Sequence, residues 1–143
     1  MMPSTLFNQN NEKEKGKIYS TKYQFLKIDY TNCYYIKKED KMIPLGSIDE
    51  IIENASEFSK KKILSCLIQN LLEKENEEIK NKLFDSLKNN IIELSKDFYG
   101  NYVIQGILEN CNLEIKTQIY DILVEKEVIV DLISKLYSCK VIQ

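Results

Sequence analysis

The chain has 143 residues, of which 43% are hydrophobic and 29% charged, enough for one modest core and a tail but not for two globular domains. Histidine is absent, which removes the commonest general acid, base and metal ligand. With no Gly-x-Gly-x-x-Gly, phosphate loop or recognisable nucleophile setting, neither an enzyme nor a cofactor or metal site is expected.

A net charge of −2 does not advertise a nucleic-acid binder, because phosphate affinity normally comes with a basic footprint. All 20 basic residues are lysines, so no guanidinium is present for bidentate contacts. No run approaches the ~18 apolar residues of a membrane span. Met1-Met2-Pro3-Ser4 lacks the layout of a signal peptide, so the expected compartment is the cytoplasm. Cys33, Cys66, Cys111 and Cys139 form no Cys-x-x-Cys pair and are expected to be reduced thiols.

Residues 1–46 hold eight lysines against five acids and five of the nine tyrosines, without a sustained helical period. They read as an N-terminal tail, largely irregular or disordered. The stretch 17–36 nevertheless has enough aromatic and β-branched residues to form a strand or to dock. Pro44-Leu45-Gly46 punctuates the boundary. Ser47 with Glu50 three residues on makes a capping box ahead of Ile48, Ile51 and Ile52, where a helical region begins.

From there the chain repeats. A shift of 36 residues lays 55–90 over 91–126 without a gap. Among the identical pairs are Glu57/Glu93, Lys60/Lys96, Ile68/Ile104, Gln69/Gln105, Leu72/Leu108, Asn76/Asn112 and Leu87/Leu123. A third copy follows at a shift of 38, aligning Tyr99, Val103, Ile104 and Gln105 with Tyr137, Val141, Ile142 and Gln143. Such a period predicts a solenoid whose units bury their apolar faces against their neighbours. Each copy resolves into three helices, in the middle copy roughly 90–98, 99–111 and 113–125. The expected fold is therefore all-α, an α-solenoid, with repeats at 47–89 and 90–126 and an incomplete one at 127–143 where the array is cut short.

The second helix of each copy opens on a short motif. The three are Leu64-Ser65-Cys66-Leu67-Ile68-Gln69, Gly100-Asn101-Tyr102-Val103-Ile104-Gln105 and Ser138-Cys139-Lys140-Val141-Ile142-Gln143. Residues four apart share a helix face, so Asn101 and Gln105 project together while Val103 and Ile104 turn to the core. Tyr102 lies beside the pair, about 100° round the helix. Two amides flanked by a planar ring are what the edge and face of an unstacked base require.

The string Phe98-Tyr99-Gly100-Asn101-Tyr102-Val103-Ile104-Gln105 closely resembles the signature of the Pumilio (PUF) repeat, in which an aromatic residue and a glycine precede a base-reading triplet. The resemblance covers residues 47–143 and looks like the first three repeats of the usual eight. It implies a binder of single-stranded RNA, at one base per repeat, that regulates messenger-RNA translation or decay without catalysis. Base edges would fall to Ser65, Gln69, Asn101, Gln105, Cys139 and Gln143, and base stacking to Cys66, Tyr102 and Lys140. The family code further implies uracil at Asn101/Gln105 and adenine at Ser65/Gln69 and Cys139/Gln143. That is 5′-AUA-3′ within a UGUA-type element of a 3′ untranslated region. Messenger-RNA decay or translation-repression proteins would meet the convex face. Cys66 and Lys140 depart from the tyrosine, histidine or arginine that the family favours for stacking. Two other readings fit the repeat: a divergent nucleolar Pumilio-like factor for ribosome assembly, and an α-solenoid protein scaffold of the HEAT or armadillo kind.

Overall fold

In the second repeat, three helices follow one another with short joints: α5 (Ile91–Lys96), α6 (Gly100–Asn110) and α7 (Leu113–Glu125). The first repeat has the same plan, α2 (Ala55–Phe58), α3 (Lys62–Lys74) and α4 (Glu77–Leu87), preceded by α1 (Ile48–Glu53). A 3₁₀ turn at Lys88–Asn90 joins the two repeats. This computed structural model describes residues 23–28, 30 and 32–125.

The 36-residue offset holds at the helix ends. Lys74 and Asn110 close α3 and α6, and Glu77 and Leu113 open α4 and α7. Both third helices are started by the same device: Asn76 Oδ1 accepts from Ile79 N, and Asn112 Oδ1 from Ile115 N, each at 3.0 Å. An asparagine cap satisfies one of the donors that a helix start leaves open. The capping box is also present, with Ser47 Oγ accepting from Glu50 N at 3.2 Å and Glu50 Oε1 from Ser47 N at 3.1 Å.

The middle helices α3 and α6 pack side by side. Their apolar stripes, Leu67, Ile68, Leu71 and Leu72 on α3 and Val103, Ile104 and Ile107 on α6, join one buried cluster with Leu83, Leu87, Leu94, Ile119 and Leu123. Each such side chain contributes about 1.5–3 kcal/mol on burial, which is how units too thin to fold singly hold together.

The polar bonds between the repeats lie at helix ends. Lys60, after α2, forms an ion pair with Glu93 of α5. Ser56 Oγ donates to Asn90 Oδ1 at 3.0 Å, and Asn90 Nδ2 to Glu93 Oε1 at 3.1 Å. Lys80 Nζ of α4 donates to the carbonyl of Asn110 at 3.1 Å, at the last turn of α6, where an ammonium complements the helix dipole.

The expectation of an all-α fold needs correction, and so does the irregular tail where it covers residues 24–46; its part over residues 1–22 lies outside the described residues. Residues 24–47 form an antiparallel sheet of order β1 (Gln24–Ile28), β2 (Cys33–Lys38) and β3 (Lys41–Ser47). The first hairpin pairs Phe25 with Ile36 and Lys27 with Tyr34, and the second pairs Lys38 with Lys41 across the two-residue loop Glu39-Asp40. Alternation along β2 buries Tyr34 and Ile36 and exposes Lys37. Pro44 and Gly46, expected to punctuate, lie inside β3 instead. Because β3 is an edge strand, the N–H that Pro44 lacks costs no ladder bond. A register irregularity opposite Tyr34 and Tyr35 absorbs Leu45.

Candidate nucleic-acid interface

The start of α6 is built around Asp97. Its Oδ2 accepts from Tyr99 N at 3.0 Å and from Gly100 N at 2.8 Å, so a carboxylate sits at the positive end of the helix. Glycine follows for a steric reason: a Cβ on residue 100 would lie 2.8 Å from the Leu94 carbonyl oxygen and 3.1 Å from Asp97 Cβ. The role of Asp97 was not anticipated from the sequence, although an aspartate three residues before Gly100 is the visible signal for such a cap.

This tight entry fixes Asn101. Its Nδ2 donates to the carbonyls of Asp97 and Phe98, both at 2.8 Å. Its Oδ1 accepts from Gln105 Nε2 at 3.0 Å. The two amides expected on one helix face are therefore in direct contact. They are also more enclosed than surface amides, each about 6% exposed. Tyr102 lies beside them, half-buried.

The first repeat places its residues differently. Ser65 is 1% exposed and its Oγ donates to the Lys62 carbonyl at 3.0 Å. Gln69 Nε2 donates to the Ser65 carbonyl at 3.3 Å rather than to its side chain. Cys66, the counterpart of Tyr102, is buried at 2% exposure, and burial pushes its thiol up to about 11. It therefore presents no face to a base, and the planar group of the site is Tyr102. The start of α3 also lacks an aspartate: Lys61 stands where Asp97 stands in α6 and makes no side-chain cap bond.

Gln69 and Gly106 meet across the two helices, where a Cβ added to Gly106 would lie 3.9 Å from Gln69 Cγ. The Ser65/Gln69 and Asn101/Gln105 positions thus sit on neighbouring helices. Cys139, Lys140 and Gln143 lie outside the described residues. Residues 48–125 carry nine lysines and fifteen acids, so this part of the chain brings no excess of positive charge for phosphate attraction, and the amides and ring are suited to hydrogen bonding and stacking. Among the described residues no group of histidine, cysteine, aspartate and glutamate side chains could hold a metal ion.

Residues 65–88 and 90–124 match the family model of the Pumilio-family RNA binding repeat. Over these two segments the chain is similar to the Pumilio family. The second matched segment spans α5–α7, and the first runs from within α3 to the end of α4, leaving out α2. Pumilio repeats are RNA-binding, non-enzymatic modules. No curated protein and no solved structure gives a significant match to the chain.

Proposed function

We propose that this chain is a member of the Pumilio family and binds single-stranded RNA sequence-specifically, one base per repeat, along an α-solenoid whose reading helices include α3 and α6. The observation that supports this reading above all is the contact of Gln105 Nε2 with Asn101 Oδ1 at 3.0 Å. It holds two amides in fixed orientation beside a half-buried tyrosine. After that bond, Gln105 keeps its Oε1 and one N–H for a ligand, an acceptor and a donor side by side. That pairing suits the alternating N–H and carbonyl edge of uracil, and Tyr102 is the group that would stack on the base.

Ser65 and Gln69 are proposed to read the neighbouring adenine, and Cys139 and Gln143, with Lys140 beside them, the base on the other side, giving 5′-AUA-3′. In this reading the chain acts in the cytoplasm on 3′ untranslated regions carrying UGUA-type elements, and regulates translation or decay through bound partner proteins.

The test is a change of base preference. A carboxylate accepts from the N1 and N2 protons of guanine, so Asn101→Ser with Gln105→Glu should move the preference of the full chain from AUA to AGA RNA. The expected discrimination is about 1–3 kcal/mol, the scale of a good bidentate base contact. Competition between the two RNAs on both proteins reads the result, and an unchanged preference refutes the assignment.

A further inference from the structure

The three-stranded sheet has no counterpart in the repeats, yet its contacts fall where a repeat's contacts would. In the second repeat, the C-terminal end of the middle helix is held from the preceding repeat: Lys80 Nζ donates to the Asn110 carbonyl. A shift of 36 residues takes Asn110 and Cys111 to Lys74 and Glu75. At that equivalent place Tyr34 of β2 donates its hydroxyl to Glu75 Oε2 at 2.6 Å.

The apolar contacts agree with the polar one. Tyr34 is 4% exposed and belongs to the same buried cluster as Ile48, Ile51, Leu71 and Leu83, with Phe25 of β1 and Leu45 of β3 packed against it. Covalent and hydrogen-bonded joins fix the sheet on the helices. Ser47 ends β3 and caps α1, and the carbonyl of Asn32, in the first hairpin turn, accepts from Ile48 N at 3.0 Å.

We propose that the sheet is the N-terminal cap of the repeat stack, seated on the first repeat in the position a preceding repeat would take. A repeat array needs an end unit that covers apolar surface on one side without offering a new stacking surface on the other. One of the two edge strands of this sheet, β3, bears on that need. β3 carries Lys41 and Pro44, both exposed, and a lysine and a proline on an edge strand oppose the addition of another strand. The cap makes α3 the first middle helix of the stack. The inference rests on the side-by-side packing of the repeats and stands whether or not the chain binds RNA.

Hydrogen exchange of the full chain, resolved by element, tests it. Replacing Tyr34 by alanine removes the ring from the shared core, so amide protection in α3 and α4 should fall at least tenfold, with or without a matching fall in α6 and α7. Protection in α3 and α4 that stays within twofold of wild type, while β1–β3 exchange freely, would show the sheet to be an appendage and overturn the proposal. Should Tyr34→Ala be recovered only unfolded, Tyr34→Phe keeps the ring and loses only the bond to Glu75. A threefold or larger loss of protection in α3 and α4 then supports the cap, and unchanged exchange there overturns it.

Discussion

Gln105 donates its side-chain amide to Asn101 Oδ1 at 3.0 Å, while Asn101 directs its own amide protons to the carbonyls of Asp97 and Phe98. Asn101, proposed to read a base, is thus also the clasp of the α6 entry. Asn101→Ala should destabilise the fold by about 1–3 kcal/mol, because it removes the side-chain bonds to the Asp97 and Phe98 carbonyls, of which the former keeps the Asn101 backbone N–H at 3.0 Å, and leaves the enclosed Gln105 amide without its acceptor. Gln105→Ala removes one bond and should cost about 1 kcal/mol. Gln105→Glu alone sets a carboxylate against the Asn101 oxygen and should cost more than Gln105→Ala. Urea denaturation of the three variants gives the order directly, and an Asn101→Ala protein as stable as wild type would show that the clasp does not matter.

Gly100 and Gly106 occupy the same helix but should respond oppositely to alanine. At Gly100 the new methyl would meet a backbone oxygen at 2.8 Å, which cannot yield without moving the α5–α6 joint. A loss of about 1–3 kcal/mol is expected. At Gly106 the methyl would lie 3.5 Å from Leu72 Cδ1, an ordinary packing distance. Replacing a mid-helix glycine there should leave stability unchanged or raise it by up to about 1 kcal/mol. Thermal melts of the two variants separate these cases.

The helical repeat was legible in the sequence because its signals are long and repeated. Two copies of about 36 residues agree in their apolar positions, their asparagine caps and their Gln69/Gln105 pair. The sheet was much less legible. Its burial rests on Tyr34 and Ile36 in a six-residue strand, and its third strand contains Pro44 and Gly46, which read as breakers until the strand is known to lie at an edge. The Asn101/Gln105 pair was visible from its spacing, but its enclosure was not. That depends on Asp97 and Phe98 carbonyls supplied by the turn, and on α3 lying against α6. The contrast between Tyr102 and Cys66 likewise needed the structure, since sequence equivalence alone assigned them one role.

Ser59 and Ser95 are repeat equivalents with different surroundings. Ser95 Oγ donates to the Ile92 carbonyl at 2.8 Å. Ser59 is fully buried and its Oγ has no hydrogen-bond partner among the described residues. Removing a hydroxyl that is buried without a partner releases a desolvation penalty, so Ser59→Ala should be neutral or stabilising by about 1 kcal/mol. Ser95→Ala should instead cost about 1 kcal/mol. Equal losses in the two proteins on chemical denaturation would contradict this account.

Cys66 and Cys111 set a pH dependence whose sign follows from burial. Burial pushes each thiol from an ordinary 9.0 up to about 11, so the folded state favours the neutral form. The stabilisation is fully present below pH 9. It is lost as the pH climbs from about 9 to about 11, where the unfolded chain gives up these protons and the folded one keeps them. The loss is at most about 1.4 kcal/mol per thiol for each pH unit in that window. Lysines and tyrosines titrate nearby, and the Tyr34 phenol is itself held above its usual range by burial and by Glu75. The thiol share must therefore be isolated by difference. Urea denaturation at pH 7.5 and 10.5 should show a smaller loss for the Cys66→Ala, Cys111→Ala protein than for wild type. Alkylation at pH 8 offers a second reading, because attack requires the thiolate and access to it. Half-buried Cys33 should be modified well before Cys66 and Cys111, and mass mapping that finds Cys66 labelled as fast as Cys33 would show that the α3 thiol is open to solvent.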